Sequence, residues 1–217
     1  MGPANRLIFN TSIVYIRLLF SLVVGLFTTR IVLNALGEQD YGIYVLVAGI
    51  ITMLSFLQSS MSSASLRFMA HSLGSGDKEL VKRTFNTTLL IHFLLGLFIV
   101  GFIEVGGWLM FKYWLNIPSD RLYEAKIVFH LMVFSSFVAV ISVPFDAVIK
   151  SHENFLALSS IEILGTLINL GIAIYLTMID TNLLITYGFL LLLNHVFLRI
   201  LKQVYSRLKY EVCKIRI

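Results

Sequence analysis

Apolar residues gather along the chain in six long stretches, at about residues 11 to 34, 41 to 63, 84 to 108, 127 to 148, 157 to 178 and 183 to 203. Each is long enough to supply the roughly 20 residues that carry a helix across a bilayer. None alternates with the period of two that a half-buried strand requires. A backbone exposed to lipid has to satisfy its own hydrogen bonds, so the stretches predict membrane-spanning helices. Polar and turn-forming residues punctuate them. Asn34 to Asp40 contains Gly37, His71 to Lys78 contains Gly74 and Gly76, Asn116 to Asp120 contains Pro118, and Ile179 to Asn182 joins the last two stretches. The fold class that follows is all-α: one polytopic six-helix bundle over residues 1 to 205, with a basic tail at 206 to 217.

Composition agrees with the pattern. Of 217 residues 58% are apolar and 13% charged, and the mean hydropathy is +0.87. A water-soluble globule of this size has too few polar side chains here to cover itself. Twelve spans would need roughly 240 residues before any loop, so a twelve-helix transporter does not fit in one chain of this length. The formal charge of +5 would suit nucleic acid in a soluble domain. Here the basic residues flank apolar stretches, which reads as topology and contact with anionic headgroups, with no nucleic-acid partner. A single cysteine, Cys213, excludes a disulfide framework and any cysteine-based metal centre. Arg17 interrupts the first stretch and no small-residue cleavage site follows, so this stretch reads as an uncleaved span.

The basic residues also set an orientation. With the N-terminus inside, Arg6, Lys78, Lys82, Arg83, Lys150, Lys202, Arg207, Lys209, Lys214 and Arg216 fall on the cytoplasmic side, against Lys112, Arg121 and Lys126 outside. Both termini are then cytoplasmic. Enzyme signatures are missing: there is no H-E-x-x-H, no G-x-S-x-G and no Walker loop. No cofactor or metal is implied.

Polar residues inside spans need a partner, a wet cavity or an escape to the interface. At about 100° per residue, Asn10, Arg17, Ser21 and Thr28 lie within about 40° of one another on the first helix. Arg30 lies about 200° away by the same count, suited to snorkelling or to pairing with Glu38 or Asp40. Arg17 has two readings, snorkelling to the inner surface or facing a cavity. Ser55, Ser59, Ser63 and Arg67 follow at intervals of four on the second span; this ladder suits either close helix packing or a hydrated cavity. Ser135, Ser142 and Asp146 share a face of the fourth span, where Pro144 offers a kink. Glu162, Thr166 and Asn169 share a face of the fifth. His195 and Arg199 lie one turn apart on the sixth and would join Asp146 and Glu162 in a charged cluster, either as structural ion pairs or as a relay coupling transport to protons or another ion.

The segment from Arg30 through Gly37, Arg-Ile-Val-Leu-Asn-Ala-Leu-Gly, followed by Asp40-Tyr-Gly-Ile-Tyr44, resembles polysaccharide biosynthesis proteins of the Wzx flippase type. These belong to the superfamily that includes multidrug exporters of the MATE type and lipid II flippases. The resemblance continues through Met61 to Phe68, Gly76-Asp77, Phe85 to Thr87, Asn116 to Pro118, Val143 to Phe145 and His152-Glu153. It implies two lobes of six helices around a cavity that opens alternately to either side, in the bacterial cytoplasmic membrane. The implied cargo is an oligosaccharide on polyprenyl pyrophosphate, destined for O-antigen, capsule or exopolysaccharide. Only the N-terminal lobe is matched, so a second, C-terminal lobe is expected in cis or in trans, or else the chain is a fragment. The resemblance also implies that Arg17 and Arg67 meet the pyrophosphate, with Asn10, Ser21, Ser59 and Ser63 meeting sugars. A lobe of a MATE-like drug exporter and an inactive membrane-interaction remnant are the competing expectations.

Overall fold

A computed structural model describes residues 3–52 and 55–213. The chain forms α1 (Pro3–Thr52), α2 (Ser55–Gly74), α3 (Lys78–Tyr113), α4 (Leu122–Ser151), α5 (Phe155–Leu176) and α6 (Leu183–Lys209), then a short 3-10 turn, Glu211–Cys213. No strand occurs among the described residues. Five of these helices, all but α2, are long and apolar enough to cross a membrane. The side chain of Ser55, the pair Met53 and Leu54 inside the second apolar stretch, and the tail cations Lys214 and Arg216 lie outside the described residues.

The first two apolar stretches fall largely on one helical run, and the loop expected over 34 to 40 contracts to one residue. Fifty residues of straight helix would span about 75 Å, more than twice a hydrocarbon core of about 30 Å. Gly37 breaks the run with φ 74° and ψ 171°, a conformation open essentially to glycine alone. Thr28 before the break and Thr52 after it line the same cavity, so the arms 3–36 and 38–52 both contribute to one site. The second arm leads on into α2, where the Ser65 hydroxyl lies 3.3 Å from His92 Nε2 on α3. Polar side chains cap three of the helices that follow. Asp77 accepts from the Glu79 and Leu80 amides at 2.9 and 3.2 Å, Asn154 from Ala157 and Asn182 from Ile185.

The central post is α4. Half of its most apolar window is buried, whereas none of the equivalent window of α1 is, so α4 carries the core and α1 lies at the periphery. Around α4 one apolar cluster joins Val32, Val47, Ile103, Phe129 and Leu176. A second joins Met69, Phe85, Phe145, Leu158 and Cys213 at the other end. Pro144 sits inside α4, fully buried and without ending the helix. At Gly107 a side chain would run into the Phe129 ring, and this bare backbone lets α3 close on α4.

Two ends can be told apart by their polar contacts. At one, Asp40 pairs with Arg121 at 3.3 Å and Asn182 donates to Glu124 at 3.2 Å. At the other, Arg6 pairs with Glu153 at 2.8 Å, Lys78 with Glu211 at 3.8 Å, and Asn154 donates to the Tyr205 and Tyr210 hydroxyls. The second is the basic end. Between the ends, large apolar side chains such as Leu22, Leu26, Phe98 and Phe102 are more than half exposed, which in a spanning helix is the surface that meets lipid.

Candidate functional site

Polar groups inside the apolar helices concentrate on a seam where α1 meets α5 and α5 meets α6. The Arg17 guanidinium forms an ion pair with Glu162, both side chains being largely shielded. One turn on, the Ser21 and Thr166 hydroxyls share a hydrogen bond of 3.2 Å, and Thr166 also donates to the Glu162 carbonyl at 3.1 Å. Both cross-helix pairs are separated by 145 positions. The first arm of α1 and α5 therefore run in the same direction in one register, so equal spacing of polar residues on each helix produces matched rungs. On the other side of α5, the Asn194 amide donates to Asn169 Oδ1 at 2.7 Å and to the Gly165 carbonyl at 3.1 Å. Buried Asn194 Oδ1 finds no hydrogen-bond partner among the described residues.

This seam borders a cavity of about 380 Å³ inside the bundle. Its polar lining includes Thr28, Tyr44, Thr52, Gln58, Ser135, Ser136, Asn169, Tyr187 and His195, and no carboxylate lines it among the described residues. The Tyr44 and Tyr187 rings lie 4.9 Å apart, centroid to centroid. Val140 is also on the wall. Pro144 cannot offer the amide that would ordinarily bond the Val140 carbonyl, so the proline on α4 affects this cavity's wall. Hydroxyls, amides and one imidazole give the cavity donors and acceptors without fixed charge. No group of three or more potential metal-ligating His, Cys, Asp or Glu residues occurs among the described residues.

The structure distributes the residues singled out from sequence over three places. Arg17 and Ser21 face α5, and Thr28 faces the internal cavity while donating to the Val24 carbonyl at 2.8 Å. Asn10 lines a separate cleft at the basic end. Ser59, Ser63 and Arg67 are exposed on α2, with the Ser63 hydroxyl donating to the Ser59 carbonyl at 3.0 Å and Arg67 lying over the Phe68 ring. The expected cluster of Asp146, Glu162, His195 and Arg199 does not form. Glu162 is taken by Arg17, Asp146 pairs with Lys202 at 2.8 Å, and Arg199 donates to Gln203 at 2.8 Å and lies over the Phe145 ring. Only His195 of the four lines the internal cavity. A charged group in a span settles on the nearest opposite charge its register allows, and Lys202 is nearer to Asp146 than the sequence suggested.

The sequence places Lys202 among the cytoplasmic cations and gives no sign of two histidine contacts. His92 meets Ser65, and His130 Nδ1 lies 2.9 Å from Glu104. The Arg17 to Glu162 pairing had a signal: polar residues four apart at 17 and 21 match those at 162 and 166.

The family model MatE matches residues 14–175 of the chain. No curated protein and no solved structure matches it significantly.

Proposed function

This chain belongs to the MatE family of membrane transporters, and we propose that it is one lobe of a flippase that moves polyprenyl-pyrophosphate-linked oligosaccharide across a bacterial cytoplasmic membrane. The observation that carries the reading is the polar stripe of α2. Ser59, Ser63 and Arg67 recur at intervals of four and are exposed, and Arg67 has no acidic partner among the described residues. A guanidinium offers forked, charge-assisted bonds to a phosphate, and hydroxyls in line with it suit sugar. Exposed to lipid, such a stripe is costly, so in this reading a second, C-terminal lobe covers it, in cis or in trans, and cargo passes between the two. Arg17 and Ser21 shape the lobe through α5, Asn10 stands at the basic end, and His195 on the internal cavity is the residue we assign to ion coupling.

The basic end is cytoplasmic in this proposal. Reporter fusions after Asp77 and Lys209 report cytoplasm, and fusions after Asp40 and Asp120 report the outside; an external signal at Asp77 overturns the orientation. The cargo is tested in a strain lacking its flippase, with the chain expressed beside a separately encoded C-terminal lobe. Surface polysaccharide returns, Arg67→Ala abolishes it at unchanged abundance, and Arg67→Lys retains part. Full export by Arg67→Ala removes the role of α2. Drug resistance without polysaccharide replaces the proposed cargo with that of a multidrug exporter.

A further inference from the structure

A cleft of about 790 Å³ opens at the basic end, between the first turns of α1 and the turn joining α4 to α5. Its lining is mixed. Leu7, Val14 and Leu18 supply apolar surface, and Leu7 is 69% exposed, so the cleft opens onto the surface that faces lipid. Arg6, Lys150 and Glu153 supply charge, and Asn10, Thr11 and Tyr15 add uncharged polar groups. Lys150 is half-buried and has no acidic partner among the described residues, while Arg6 is held by Glu153 at 2.8 Å.

Glu153 is the sole non-glycine residue with positive φ among the described residues, at 55°. It sits just past α4, where its amide donates to the Lys150 carbonyl at 2.8 Å and the Asn154 amide to the Ile149 carbonyl at 3.1 Å. Glycine is the usual occupant of such a helix end because it bears no strain there. The glutamate tolerates that strain and places a carboxylate in the cleft, where it neutralises Arg6. Two cations and one anion leave the cleft with a single net positive charge.

We propose that this cleft binds one monoanionic phospholipid, its phosphate against Lys150 and Arg6 and its acyl chain along Leu7, Val14 and Leu18. The apolar side chains favour an anion that carries an acyl chain over a soluble one, because Leu7, Val14 and Leu18 would gain nothing from the latter. The glutamate excludes a diphosphate, whose second charge would face the Glu153 carboxylate. The occupant is thus a resident lipid distinct from the transported one, and its binding does not depend on what the protein carries.

The full chain is reconstituted in nanodiscs with Tyr15→Trp as a reporter in the cleft and Trp108→Phe and Trp114→Phe removing the other indoles. Brominated phosphatidylglycerol is compared with brominated phosphatidylcholine at equal mole fraction. Quenching shows about a fivefold preference for the anionic lipid, the attraction of one unpaired cation near a membrane surface. Lys150→Gln removes the preference and Glu153→Gln raises it. Native mass spectrometry of the unaltered chain retains one phosphatidylglycerol, and Lys150→Gln does not. Equal quenching by the two lipids, a preference that survives Lys150→Gln, or a reporter response to inorganic phosphate alone overturns the proposal.

Discussion

Glu162→Gln leaves the Arg17 guanidinium facing a neutral amide in the middle of the seam between α1 and α5. Breaking a fully buried ion pair from one side costs about 3–5 kcal/mol. The two side chains here retain 21% and 31% exposure, so solvent screening reduces the loss to about 2 kcal/mol. For a chain of this length, that loss lowers Tm by about 4–8 °C. Arg17→Gln has the same effect from the other side. The double variant, Arg17→Gln with Glu162→Gln, removes both charges together and recovers most of the loss, because two amides can still bond across the seam. The measurement is a double-mutant cycle on purified protein in nanodiscs, with thermal unfolding followed by circular dichroism. A Tm change below about 1 °C for Glu162→Gln, or a double variant as unstable as the sum of the singles, refutes the argument that the pair fastens α1. The same variants in an export assay separate fastening from cargo binding. A double variant that is stable but does not export assigns the pair a role in transport beyond fastening α1.

Gly107→Ala puts a methyl group into the buried Phe129 ring and costs about 1–3 kcal/mol as overpacking; Gly106→Ala, with open space around it, gains helix propensity and holds or raises Tm, and equal Tm values for the two variants oppose the close approach of α3 and α4. Glu153→Gly relieves a positive φ worth about 1 kcal/mol and gives up an exposed pair with Arg6 worth about 0.5 kcal/mol. Its Tm holds or rises slightly, and a fall of several degrees contradicts the strain argument. Burial pushes the Cys213 thiol up to about 12, against a smaller lowering by Arg207. With its pKa raised, the group stays protonated at pH 8, where about one thiol in ten thousand is the reactive thiolate. Maleimide labelling is therefore slow in intact membranes and fast in detergent-unfolded protein, and rapid native labelling shows that Cys213 is not enclosed.

Helical, membrane-spanning character was legible because it depends on one-dimensional quantities: the length of an apolar stretch and the absence of a two-residue period. The reversal near residue 37 was legible as a connection, but its contraction to one glycine was not, since a seven-residue polar segment gives no sign that helix persists through most of it. Periodicity also showed that Arg17 and Ser21 share a face with Asn10 and Thr28. It says nothing of which helix that face meets. The error over Asp146, Glu162, His195 and Arg199 has this origin: each was placed correctly on its own helix, while the pairing depended on registers between helices. Lys202 was read by its distance from the end of a span, although its side chain is long enough to reach one turn back into the bundle and find Asp146. The internal cavity combines Thr28, Tyr44, Gln58, Ser135, Asn169, Tyr187 and His195, contributions from every spanning element except α3 among its polar members, and a pattern so dispersed has no local signature.

The matched rungs between α1 and α5 work as a vernier. A face of leucines can slide along another by one turn, about 5.4 Å, and meet leucines again. Here a slip of one turn in one direction puts Arg17 opposite Leu158, and in the other puts Glu162 opposite Ile13, so each misstep strands a charge against hydrocarbon. Between Arg6 and Arg30 the exposed side chains of the first arm of α1 are mostly apolar, and such a stretch alone would accept lipid at several axial positions. Its longitudinal address is therefore written by its polar contacts, Arg6 with Glu153, Arg17 with Glu162 and Ser21 with Thr166, and by the glycine bend that follows them.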